Sequence, residues 1–150
     1  MIEKLLVALD GSEPADEALN CALDLAEKYS ASVTLLTVVR PIVVPQVSPA
    51  TVPPLAPQIK QRYERGLKEG HKKILSEALQ KSNEVNPNLD ISTKLLEGNP
   101  SQQIVDFAKK EDFDMIIMGS RGLGGFKELF LGSVSDRVAD KAHCPVLIVK

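Results

Sequence analysis

Five short runs of apolar and β-branched residues recur along the chain, and each interval between them contains a stretch of helical periodicity. The runs are KLLVAL from Lys4, SVTLLTVV from Ser32, ISTKLLE from Ile91, FDMIIMG from Phe113 and PVLIVK from Pro145. Runs this short and this continuous are the pattern of strands covered on both faces. Parallel strands must be joined by crossovers, so a strict strand–helix alternation predicts an α/β chain: a doubly wound sheet of five parallel strands with four helices. A length of 150 residues supports one core, and residues 1–150 are read as a single domain.

The helical intervals carry their own start and stop signals. Ser12, Glu13 and Pro14 open the first, and Ala15, Ala18, Leu19, Ala22, Leu25 and Ala26 continue at helical spacing as far as Tyr29–Ser30. The second is delayed. Residues 40–57 hold prolines at 41, 45, 49, 53, 54 and 57, which exclude helix and central strand and predict a long connection. Helical period resumes from about Gln58 to Asn83, with Ile59, Tyr63, Leu67, His71, Ile74, Leu75, Ala78 and Leu79 along one face, and Asn86-Pro87-Asn88 stops it. Asn99 and Pro100 start the third helix as cap and first-turn residue, and SVSDRVADKA forms the fourth.

Charge and composition exclude several functions. Eighteen basic residues against twenty acidic ones, with no basic block and only six aromatics, give no electrostatic drive toward nucleic acid. No apolar run approaches the roughly 20 residues that span a bilayer, so no membrane role is expected and a cytoplasmic location is. Cys21 and Cys144 lack zinc or redox spacing. The two histidines, His71 and His143, are expected away from the ligand end of the sheet, so no dedicated general base is assigned.

Ligands of doubly wound sheets bind at the carboxyl ends of the strands. Those ends are Asp10-Gly11, Val38-Val39, Glu97-Gly98 and Gly119-Ser120. The Walker loop is absent, and the dinucleotide fingerprint fails because Lys127 stands where a third glycine is needed. The fourth strand instead ends in Gly119, two residues, Gly122, nine residues, then Gly132-Ser133. The glycines allow close backbone approach to an anion, the amides at the start of the last helix point toward it, and the hydroxyls of Ser133 and Ser135 add donors. Asp10 has three readings: accepting hydrogen bonds from a ribose or amide, organising a magnesium–water shell, or capping the next helix. Arg121 either pairs with phosphate or faces water.

The segment from Met118 to Lys150, MGSRGLGGFKELFLGSVSDRVADKAHCPVLIVK, resembles the carboxyl-terminal signature of the universal stress protein family, and KLLVALDGSEPADEAL resembles the family's opening. The match covers both ends and the order of elements, apart from the proline-rich connection. The resemblance implies a flavodoxin-like or related adenine-nucleotide-binding sheet, and ATP binding, with ADP or AMP as alternatives and Mg2+ accompanying the nucleotide. It places adenine against Ala8, Leu9, Asp10 and Val38. Ribose and phosphates fall on Gly119, Ser120, Arg121, Gly122, Gly132, Ser133, Val134 and Ser135. Arg121 departs from the histidine of many relatives, and Gly124-Gly125 occupies the loop centre. The resemblance further implies a homodimer formed through Pro145 to Lys150, and with no dedicated general base assigned, at most slow hydrolysis is expected. A protein partner engaged by residues 40–57 and the second helix is the alternative reading.

Overall fold

The computed structural model describes residues 1–43, 57–122 and 131–150. Its elements run β1 (Lys4–Ala8), α1 (Glu13–Tyr29), β2 (Ser32–Val39), α2 (Pro57–Val85), β3 (Ile91–Glu97), α3 (Pro100–Lys110), β4 (Met115–Gly119), α4 (Ser133–Lys141) and β5 (Val146–Val149). All strand pairs are parallel. The sheet order is β3-β2-β1-β4-β5, so the chain winds outward from β1 in one direction and then in the other. The expected α/β sheet of five parallel strands and four helices is therefore the observed one.

Alternating side chains of the strands fill two cores. Leu5, Val7, Val33, Leu35 and Ile117 pack beneath α1 and α2, against Ala18, Leu19, Ala22, Leu75 and Ala78. Leu6, Leu36, Ile116 and Met118 pack on the opposite face, against Ile104 and Ala108 of α3 and Val138 of α4. Small alanines on α1 let that helix settle close to the sheet, and Gly119 shows how close. A Cβ on Gly119 would lie 2.7 Å from the carbonyl carbon of Pro14 and 2.9 Å from the nitrogen of Ala15.

The second helix differs from expectation in its start and in its buried face. Pro57, read as part of the connection, opens α2, where its fixed φ and missing N–H suit a first helical position. The apolar face expected on α2 divides along its length: Ile59 and Tyr63 are exposed, Leu67 and His71 are half-buried, and Leu75 and Ala78 join the core. Only the second half of the helix lies over the sheet deeply enough to be covered. The prolines at 45, 49, 53 and 54, and the loop centre with Gly124, Gly125 and Lys127, lie outside the described residues.

Cys21 and Cys144 are both free and half-buried. Burial pushes the Cys144 thiol up, which keeps it protonated where it packs against the α3–α4 core.

Candidate functional site

The winding reverses between β1 and β4, and the chain leaves the carboxyl ends of these two strands toward different helices. A cavity of about 800 Å³ opens over these ends and over that of β2. Its walls come from every layer of the fold: Ala8 at the end of β1 with Leu9 and Asp10 after it, Leu36 to Val38 on β2, Leu67 and His71 on α2, Pro100 and Ile104 on α3, Met118 to Gly122 without Ser120, and Leu131 to Ser135.

Asp10 is held by the turn that begins α1. Its Oδ1 accepts hydrogen bonds from the Ser12 amide at 3.0 Å and the Ser12 hydroxyl at 2.5 Å. Ser12, not Asp10, is the N-cap, its Oγ accepting from the Ala15 amide at 3.4 Å. Asp10 thus orients the cap rather than serving as one. Gly11 between them has φ +81, a left-handed conformation that glycine adopts without strain. The second carboxylate oxygen of Asp10 faces the Gly122 backbone: a Cβ built on Gly122 would lie 2.6 Å from Oδ2.

The two glycine-bearing ends of the signature meet directly. The Gly132 amide donates to the Ser120 carbonyl at 2.7 Å, and the Ser135 hydroxyl lies 2.9 Å from both the Ser120 and the Gly132 carbonyls. Ser120 is itself fixed to β5 through its amide and the Val149 carbonyl, 2.7 Å away. Gly132 caps α4 without any side-chain hydrogen bond, and Ser133, Val134 and Ser135 in the first turn line the cavity. Their amides have no partner one turn back in the helix, so the positive end of α4 is directed at the cavity.

Of the twelve residues expected at the site, eleven line this one cavity: Ala8, Leu9, Asp10, Val38, Gly119, Arg121, Gly122, Gly132, Ser133, Val134 and Ser135. Ser120 does not; it is buried beneath the wall and joins the two chain segments. Three expected roles change. The Gly119 vacancy is filled by the α1 backbone rather than left for an anion. The Gly122 vacancy is taken up by the Asp10 carboxylate. The hydroxyl proton of Ser135 is engaged by protein carbonyls, so Ser135 adds no hydroxyl donor toward the cavity.

His71 corrects a further expectation, for it lines the cavity instead of lying away from it. Its Nδ1 sits 2.8 Å from the Leu67 carbonyl. A carbonyl only accepts, so Nδ1 carries a proton and, in the neutral ring, Nε2 keeps its lone pair. Lys68, next to Leu67, reaches Glu97 at 2.7 Å and ties α2 to the end of β3. That hydrogen-bonded pair raises the Lys68 pKa. Thr37, Arg40, Leu67, Pro100 and Ile104 line the cavity without having been expected there. Helical period identifies Leu67 and His71 as one face, but nothing local says which part of that face reaches the strand ends.

Known proteins share this architecture. The universal stress protein family matches residues 1–150. The chain is 35% identical over 150 residues to universal stress protein YxiE of Bacillus subtilis, covering 100% of both. Its fold is similar to universal stress protein UspA from Lactobacillus plantarum, with a TM-score of 0.83 at 22% identity over 99% of this chain and 97% of that one. It is also similar to a universal stress protein family protein from Arabidopsis thaliana with AMP bound, at TM-score 0.68 and 21% identity, over 99% and 91% of the two chains. With a match along its whole length and a parallel five-stranded sheet of the same fold, this chain belongs to the universal stress protein family.

Proposed function

We propose that this protein binds an adenine nucleotide across the carboxyl ends of β1, β2 and β4. The observation that carries the reading is the convergence, in one cavity, of the first turn of α4, which no side chain caps, the Gly122 turn and the Asp10 carboxylate. The α4 amides receive phosphate oxygens, as helix amino termini do generally. The apolar wall of Leu36, Val38, Ile104 and Met118 receives the base, and Asp10 accepts from a ribose hydroxyl. The AMP-bound Arabidopsis relative supports the class of ligand.

ATP is the preferred nucleotide in this reading, with a phosphate chain long enough to run from the α4 turn toward Arg121. Mg2+ arrives on the phosphates in this reading; among the described residues no three acidic, histidine or cysteine side chains gather to hold a metal by themselves. Ser12 occupies Asp10 Oδ1, the ribose takes Oδ2 in this reading, and the Ser135 proton is engaged by carbonyls, so neither group is left to activate a water. Hydrolysis is at most slow, and the protein acts as a cytoplasmic nucleotide-dependent regulator. β5 lies at the sheet edge with Leu147 exposed, which supports homodimer formation through Pro145 to Lys150.

Titration calorimetry with AMP, ADP and ATP, each with and without Mg2+, tests the reading. Saturable heat with all three and tightest binding for Mg-ATP is the expected result; absence of binding at millimolar nucleotide overturns it. A second reading, capture of a protein partner, is favoured by exposed Ile59 and Tyr63 on one side of the start of α2. Partner capture that survives nucleotide removal and is lost in an Ile59→Ser, Tyr63→Ser variant distinguishes it.

A further inference from the structure

Of the two histidines, His71 lines the cavity and His143 does not. The His71 ring is held on one side: Nδ1 lies 2.8 Å from the Leu67 carbonyl, one turn back in α2. The two ring nitrogens direct their hydrogen bonds to nearly opposite sides of an imidazole, so Nε2 turns away from the helix backbone. Nε2 has no partner among the described residues. Thr37 Oγ1 is the only buried side-chain polar atom among them without one, so Nε2 is not sealed from the cavity. In the neutral ring it offers a lone pair.

The packing of α2 says which part of a ligand that lone pair meets. A Cβ on Gly11 would lie 3.1 Å from Ile74 Cδ1, so α2 passes over the turn that follows Asp10. His71 is three residues before Ile74 and shares its side of the helix. Beyond Ile74, Leu75 and Ala78 pack with Val33 and Leu35 of β2. The first turn of α4, which receives the phosphates, instead follows β4, on the other side of β1 from β2. A nucleotide with its phosphates there presents its nucleoside to α2. Adenosine carries an exocyclic amine and sugar hydroxyls, the donors that a lone pair accepts. We infer that His71 is a specificity-determining contact for the nucleoside, its Nε2 accepting a hydrogen bond from the amine of the base or a hydroxyl of the sugar. This inference rests on the nucleotide-binding reading above.

Calorimetry at about pH 8, above the ordinary histidine range, compares wild type and His71→Phe. The ligands are AMP, its two deoxyribose analogues, each lacking one sugar hydroxyl, and purine riboside monophosphate, which lacks the amine. His71→Phe should bind AMP roughly fivefold to tenfold more weakly, the size of one neutral hydrogen bond. One analogue should bind wild type more weakly than AMP by a similar factor while His71→Phe does not distinguish it from AMP, since interacting groups are not additive. A deoxyribose analogue behaving so assigns the donor to the sugar, and the purine analogue assigns it to the base. Nitrogen NMR of wild type with isotope-labelled histidine needs no variant: AMP should shift the Nε2 resonance of His71 and leave His143 in place. Equal AMP affinity in His71→Phe, the same loss in both proteins with every analogue, or an Nε2 resonance unmoved at saturating AMP overturns the inference. Failure of wild type to bind AMP overturns the nucleotide reading and this inference together; binding by wild type with His71→Phe unaffected overturns this inference alone.

Discussion

Gly122 and Asp10 form one steric unit: the hydrogen of Gly122 occupies space in which a Cβ would stand 2.6 Å from Asp10 Oδ2. The carboxylate cannot retreat freely, because its other oxygen is bound by both the amide and the hydroxyl of Ser12. Gly122→Ala should therefore displace Asp10 and weaken adenine-nucleotide binding at least about tenfold, with a stability loss of about 1 kcal/mol. Calorimetric titration and denaturant unfolding read the two effects. In an Asp10→Ala background the stability cost of Gly122→Ala should largely disappear, since contacting residues do not behave additively. Equal costs in the two backgrounds would show that the glycine serves something other than the carboxylate.

Gly119 belongs to the same signature but answers to a different neighbour. Its absent Cβ makes room for the Pro14–Ala15 backbone at the start of α1, which has no rotamer by which to yield. Gly119→Ala is expected to destabilise the protein by about 1–3 kcal/mol in urea unfolding, through overpacking between β4 and α1. Nucleotide affinity of the folded fraction should change less than in Gly122→Ala. The reverse ranking of the two variants would contradict this division of roles.

Acid should loosen the amino-terminal edge of β1. The Asp114 carboxylate accepts from the backbone amides of Glu3 and Lys4, at 2.8 and 2.9 Å, and these bonds hold its pKa below the usual carboxylate range. A folded-state pKa below the unfolded one means that the contribution is present in full above the unfolded value, about 3.9, and is lost as pH falls through the folded value. Asp114→Asn should accordingly be less stable than wild type at pH 7, with the difference narrowing below about pH 4. Thermal melts from neutral pH down into the acid range check this; a constant gap throughout would show that Asp114 does not act through its charge.

The proposed dimer places β5 against its symmetry mate. Leu147 is the exposed side chain of that strand, 37% accessible in the single chain. Leu147→Asp should convert a dimer to a monomer in light scattering at micromolar concentration, because two carboxylates would face each other across the twofold axis. Its monomer fold should persist, as Leu147 belongs to neither core. A monomeric wild type, or a dimer unchanged by the substitution, would count against β5 as the interface.

The alternation of apolar runs and helical intervals was enough to identify the α/β class and nearly every element, because strand and helix periods are local properties of a chain. Cap residues behave the same way: Ser12 before α1 and Asn99 before α3 both accept the expected first-turn amide. The family signature likewise pointed to the ends of β1 and β4, and eleven of its twelve expected positions line one cavity. The sequence alone could not give roles to those residues. Gly119, Gly122 and Gly132 look alike in a motif, yet one admits a helix backbone, one a carboxylate and one a carbonyl, Ser120 O, 3.2 Å from where its Cβ would be. Neither did periodicity reveal that α2 brings His71 over the strand ends, or that Thr37 is buried with its hydroxyl unpaired. Those facts depend on contacts between residues tens of positions apart, and they arise only when the sheet order β3-β2-β1-β4-β5 and the packing of helices on both faces bring them together.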